Sequence, residues 1–188
     1  LTTSVDGGGL DFTNVTGVNK VTVNGSNNSD FNNLGNIADA GTTFVFDAGA
    51  MTAGTLAVDF VDGSENVQIN TGAGAATLAF NGTLDYQDEV NGADNVAGDS
   101  LSATVDGLTT TTGALDIENI ETVALTGANT ASSIDATDIV GDGTNDVSLD
   151  LSGDQNLTVS NLQATVTTID ASAANSQTSA LTGDLSLT

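Results

Sequence analysis

The chain has 188 residues, 25 of them Asp or Glu and only one, Lys20, basic, for a formal net charge of −24. That balance excludes phosphate-rich nucleic acid and anionic membrane surfaces as partners, and it leaves self-repulsion to be met by water, salt or bound cations. Cysteine, histidine and proline are absent, which removes disulfides, thiolate and imidazole metal sites and the commonest general base.

Apolar residues make up 38% of the chain, with six Phe, one Tyr and no Trp, which predicts a thin, largely aliphatic core. In chain order, short runs alternate apolar with polar residues: "KVTVNG" at 20–25, "TFVFD" at 43–47, "NVQIN" at 66–70, "TVALTG" at 122–127, "DVSLDLSG" at 146–153 and "NLTVSN" at 156–161. A two-residue period rich in β-branched side chains predicts half-buried strands. Gly, Asn and Asp bound the runs as turn formers. The best helix candidate is 130–138. No apolar run is long enough to cross a bilayer, and the opening "LTTSVDGGG" lacks the apolar stretch of a secretory signal.

The chain also echoes itself. "TVALTGANTASSIDATD" at 122–138 parallels "NLTVSNLQATVTTIDASA" at 156–173. Matching Val123 with Leu157, Ile134 with Ile169 and Val147 with Leu185 predicts two coils of three strands, spaced by 34, 35 and 38 residues. The fold expectation is all-β: a parallel β-solenoid-like stack of short strands, at least in the second half. Antiparallel β-sandwich domains are the alternative, because Asn-Gly and Asp-Gly pairs also suit hairpins. A division near residue 90 is expected, with loose repeats over 1–90 and a solenoid-like region over 91–188. A stack that stops in or just after a strand predicts a segment of something longer, or a subunit whose ends meet neighbours.

Calcium is the metal that this all-oxygen donor set could hold. One candidate group is Asp135, Asp138, Asp142, Asn145 and Asp146, around "GDGTND". A second is Asp85, Asp88, Glu89, Asp94 and Asp99; a third is Asp59, Asp62 and Glu65. Beside each stands the plainer reading of a solvated Asp/Asn/Gly turn. Asp135 and Asp170 could also bond to backbone amides at a turn. Catalysis finds no support: carboxylate pairs are as common as 25 acids would make them by chance, and the glycines of "VDGGGLD" do not open a helix as a phosphate loop would.

"NGADNVAGDSLSATVDG", "IENIETVALTG" and "SIDATD" together resemble surface-layer and giant surface proteins of Gram-negative bacteria, exported by type I secretion (RTX-like). The matching positions are Asp99, Leu101, Ala103 and Val105, then Ile120, Glu121, Val123 and Leu125, then Ile134, Asp135 and Ala136. The resemblance implies an all-β, often solenoid-like body, extracellular display, calcium dependence and assembly into a lattice or filament. "GDGTNDVSL" at 141–149 departs from the family's calcium nonapeptide: Asp142 and Thr144 replace glycines and Ser148 sits at the large apolar position. The expected function is a self-assembling, extracellular structural segment with calcium as its ion. The alternative is an adhesin-type module for a cell-surface glycan or another surface. A third reading makes the acidity a matter of solvation alone, as in a salt-adapted domain.

Overall fold

Alternation is the local rule from which the fold grows. In β-strands successive side chains point to opposite faces, so each short run commits one row inward and one outward. The structure is a computed structural model, and it describes residues 2–3, 9–34, 42–60, 66–93, 98–171 and 185–187. The strands are β1 (Thr2–Thr3), β2 (Gly9–Asp11), β3 (Lys20–Gly25), β4 (Ser29–Asn32), β5 (Phe44–Met51) and β6 (Thr55–Phe60). Next come β7 (Val67–Asn70), β8 (Ala75–Thr83), β9 (Glu89–Asn91), β10 (Ser100–Val105), β11 (Asp116–Glu118) and β12 (Thr122–Gly127). The last are β13 (Ser132–Asp135), β14 (Ile139–Val140), β15 (Val147–Gly153), β16 (Leu157–Ser160), β17 (Val166–Asp170) and β18 (Leu185–Leu187).

Every pairing among the described residues is parallel, so the chain is a β-solenoid. The stack is not confined to the second half. A seven-stranded sheet runs β1-β3-β5-β7-β9-β11-β14, and an eight-stranded sheet runs β17-β15-β12-β10-β8-β6-β4-β2. A third sheet of three strands runs β13-β16-β18. At residue 90, β9 pairs with β7 on one side and β11 on the other. Parallel neighbours spaced about 4.8 Å apart give the eight-stranded sheet a height of roughly 34 Å.

One row of the eight-stranded sheet shows the pitch. Leu10, Phe31, Val58, Leu78, Leu101, Val123, Leu149 and Ile169 stand on one another in register, in steps of 21, 27, 20, 23, 22, 26 and 20 residues. The 34–38-residue echo therefore joined strands of different faces. Val123 stacks on Leu149, Ile134 on Val159, Leu149 on Ile169 and Leu157 on Leu185. The stretch 130–138 contains β13 rather than a helix, with Ser132 and Ile134 buried and Ser133 between them half-buried. Among the described residues the Asp-Gly pairs at 106–107 and 142–143 lie in turns between parallel strands, not in hairpins, whereas Asn24-Gly25 ends β3 and Asn81-Gly82 lies within β8. Gly107 and Gly143, which follow Asp106 and Asp142, take φ of 65° and 79°.

The core departs from the aliphatic expectation in the first half. All six Phe are buried, and five of them form a chain of ring contacts. Phe12 to Phe31, Phe31 to Phe46, Phe46 to Phe60 and Phe60 to Phe80 stand at centroid distances of 6.3, 5.1, 6.1 and 4.7 Å. Beyond Phe80 the interior passes to Leu, Ile and Val, such as Leu101, Ile117, Val123, Leu125 and Leu149. Where turns touch backbone to backbone, glycine is required: a Cβ on Gly74 would run into the Gly54 carbonyl of the turn before it.

Candidate functional site

Strand alternation places the acidic side chains on the outer face or at the corners, where they meet the next turn. The question is what holds them there, since a single Lys cannot serve them all. Lys20 Nζ lies 2.9 Å from Asp47 Oδ2, the one ion pair among the described residues, and that bond leads in holding the Asp47 carboxyl below its ordinary value.

The remaining carboxylates are met largely by neutral donors. Asp11 Oδ1 accepts from Thr13 N (2.9 Å) and Thr13 Oγ1 (2.5 Å), and from Asn33 Nδ2 one turn on (2.9 Å). Asp135 repeats the arrangement: Oδ1 accepts from Thr137 N (3.1 Å), Thr137 Oγ1 (2.6 Å) and Asn161 Nδ2 (3.1 Å). Asp106 accepts from Asn129 Nδ2 and Thr130 N, both at 2.9 Å, and Asp59 accepts from Asn81. Asn33, Asn129 and Asn161 have φ of 60°, 51° and 58°. That left-handed geometry is one Asn tolerates, and here it turns the amide toward the preceding turn. These bonds favour the ionised form, and the carboxyls of Asp11, Asp106 and Asp135 are held below their ordinary value. The Thr13 hydroxyl leads for Asp11, Asn129 for Asp106 and the Thr137 hydroxyl for Asp135.

A second set caps strand starts. Asp99 is 1% exposed. Its Oδ1 accepts from Ala76 N at 2.6 Å, and its Oδ2 from the Thr71 hydroxyl at 3.4 Å. Glu121 Oε2 in turn accepts from Gly98 N (3.2 Å) and Asp99 N (2.8 Å). Buried Asp88 accepts from Val67 N (2.8 Å) and Asp85 N (2.9 Å). Burial dominates at both buried acids and pushes each carboxyl up to about 6, against the pull of the amide bonds; Glu121 adds repulsion at Asp99, and Asp85 at Asp88.

Against this frame the expected metal groups separate. Asp142 is turned into its own loop, where Oδ1 accepts from Thr144 N (2.6 Å) and Asn145 N (2.7 Å), and Oδ2 from Asn145 Nδ2 (3.3 Å). Asp135 is engaged by Thr137 and Asn161. Asp138 repels Asp116 on the seven-stranded sheet, and Asp146 is exposed. In the second group Asp85 caps Gln87 N, Asp88 and Asp99 cap strands, and Glu89 accepts from Gln68 Nε2 at 2.6 Å. Asp94, Asp62 and Glu65 lie outside the described residues. Among the described residues no three acidic side chains are gathered as metal ligands would be.

Acids do crowd on the outer face. Glu89 and Asp116 are register partners. Asp116 is pushed up first by burial, then by Glu118, Glu89 and Asp138. Asp150 and Asp170 are also stacked in register.

Two features escaped the sequence reading. One is the role of Asn as the carboxylates' partner, signalled by Asn recurring 22, 22, 23 and 26 residues after Asp11, Asp59, Asp106 and Asp135. The other is a cleft beside Tyr86, the chain's only Tyr, next to the run "LTTTTGAL" at 108–115. Comparison with protein-family models, with curated proteins and with solved structures finds no match to this chain.

The clamps can be tested one at a time. Replacing Asn161 with Gly keeps the left-handed backbone and removes the donor, and an expected loss of about 1 kcal/mol follows for one exposed hydrogen bond. Asn161→Asp sets a second carboxylate against Asp135 and costs more than Asn161→Gly at pH 7. Added salt narrows that gap. Urea denaturation of the two variants at low and high sodium chloride measures it; equal losses at both would show that the pair is not coupled.

Proposed function

We propose that this chain is a structural segment of an extracellular, bacterial cell-surface assembly, associating with copies of itself into a layer or filament. The observation that carries the reading is the continuous parallel solenoid, a regular body whose turns are tied together by side chains as well as by backbone. Regular bodies of this kind present repeated flat faces for side-by-side packing. The resemblance of residues 99–136 to type I secreted surface proteins supports it, since the three acids of that motif, Asp99, Glu121 and Asp135, are all turn-to-turn hydrogen-bond acceptors here.

Calcium has a defined place in this reading. It acts outside the turns, screening and bridging acidic ridges such as Glu89–Asp116 when two bodies approach. The affinity expected is the ~10⁻⁴–10⁻³ M of extracellular modules. Negative-stain imaging and sedimentation in millimolar calcium, in magnesium and in chelator at matched ionic strength test it. Sheets or filaments in calcium that disperse in chelator are expected. Monomers under every condition would remove the assembly reading, and assembly indifferent to chelator would remove calcium from it.

A further inference from the structure

We propose that two copies of this chain pack face to face through the middle of the eight-stranded sheet, on the outer rows of β8, β10 and β12. This rests on the reading of the chain as self-associating and names the surface on which pairing starts.

Charge sets that surface apart. The chain has 25 acids in 188 residues, yet β8, β10 and β12, three neighbours in one sheet, contain no charged residue. The seven-stranded sheet has no such tract among the described residues: Asp47 stands on β5, Glu89 on β9, and Asp116 and Glu118 on β11. On the eight-stranded sheet carboxylates return on the next strands out, with Asp59 on β6 and Asp150 on β15. At the ends of β10 and β12, Asp106 and Glu121 are engaged by neighbouring turns, Asp106 by Asn129 and Thr130 and Glu121 by Gly98 and Asp99.

A second copy carries the same −24 charge, and like charges brought face to face oppose association. The charge-free tract is therefore where another copy can approach most closely. Repulsion between more distant charges is cut by a screening length of about 8 Å at physiological salt.

Shape agrees with charge. The outer rows of β10 and β12 are Ser100, Ser102 and Thr104, and Thr122, Ala124 and Thr126, partnered one to one without a break. Side chains this short leave a level surface, and level sheets pack about 10 Å apart. Hydroxyls both donate and accept, so one patch can satisfy its own copy across a two-fold axis. An apolar partner would leave them unsatisfied, and a basic partner would favour the acidic ridges of the other sheet. Extended from β6 to β15, the patch measures roughly 24 by 20 Å, about 480 Å² per copy. The pair buries on the order of 1,000 Å², the low end for a specific contact, so the dimer is weak. No cation enters this contact, in contrast to the ridges of the seven-stranded sheet.

Sedimentation velocity over a wide range of protein concentration, in chelator at low and high sodium chloride, tests the proposal. A monomer–dimer equilibrium that shifts toward dimer as salt rises is expected. Ser102→Glu is expected to weaken the dimer about tenfold or more. An equal mixture of Ser102→Glu and Ser102→Lys is expected to recover it, because position 102 is central and meets the same patch of the other copy. Val45→Glu, on the outer face of the seven-stranded sheet beside Lys20, is expected to leave the equilibrium within about twofold. Ala124→Glu is the second variant should Ser102→Glu melt abnormally. A monomer in chelator at every salt concentration, an equal response to Ser102→Glu and Val45→Glu, or no recovery on mixing would each overturn the pairing. Layers or filaments that still form in calcium would then leave the assembly reading standing. A chelator-resistant dimer that never grows further in calcium would support the pairing and remove the layer or filament.

Discussion

Lowering the pH from 8 toward 5 will raise the melting temperature of this protein. Asp88 and Asp99 are buried, and burial lifts each carboxyl from 3.8 to about 6 in the folded chain. A carboxyl with a raised folded pKa takes up its proton more readily in the fold than in the unfolded chain, so protonation favours folding. The penalty of keeping it ionised is in full force above pH 6 and disappears as the pH falls toward 3.8. Across that window the gain is roughly 3 kcal/mol for each group. Asp116, also raised, adds in the same direction, and so does the fall in overall repulsion. Below the ordinary carboxylate value the trend reverses. Asp11, Asp47, Asp106 and Asp135 are held below it, so the fold favours their ionised form and loses that contribution as they protonate. Maximum stability is therefore expected between about pH 4 and 6. Thermal melts at constant ionic strength measure it, and Asp99→Asn should flatten the rise. A melting temperature that falls steadily from pH 7 to pH 5 would refute the account.

Phe46→Ala is expected to cost about 3–5 kcal/mol, the usual range for removing a buried aromatic. Phe46 has no exposed surface and meets Phe31 and Phe60 edge to face at 5.1 and 6.1 Å. It therefore ties two successive turns together, with Phe31 and Phe60 on neighbouring strands of the opposite sheet. Its neighbour Val45 is the control. It points outward, is half-buried, and its replacement by Ala should cost under about 1 kcal/mol. Denaturant melts followed by far-UV circular dichroism compare the two. A larger loss at Val45 than at Phe46 would mean that the alternation of β5 is reversed, because a one-residue slip exchanges inner and outer rows.

The strands were legible because period-2 alternation is local. Each quoted run, such as "KVTVNG" and "TVALTG", contains a strand with every second residue inside. The stacking register was not legible. A run such as "NLTVS" at 156–160 looks like "TVALT" at 122–126, yet β16 belongs to the three-stranded sheet and β12 to the eight-stranded one. Inward pairs on any face carry the same pattern, and turns that vary from 20 to 27 residues hide the period. The partners inside the candidate ion turn were hidden for a related reason. "GDGTND" shows Asp142 and Asp146 close in sequence, but only the fold reveals that Thr144 and Asn145 already occupy Asp142. The acidic composition drew attention to cations, while the neutral amides of Asn33, Asn129 and Asn161 were satisfying the same oxygens from the next turn.

The pitch of the solenoid has a mechanical consequence. Each turn lies across the stacking axis and grips only the turns beside it. Tension drawing on the backbone at one end would peel strands from the edge inward, one turn at a time, rather than shear a whole sheet at once. Each turn of 20–27 residues would release about 70–95 Å of chain. A surface layer or filament made of such bodies would yield by lengthening in small increments, and its remaining turns would keep their grip.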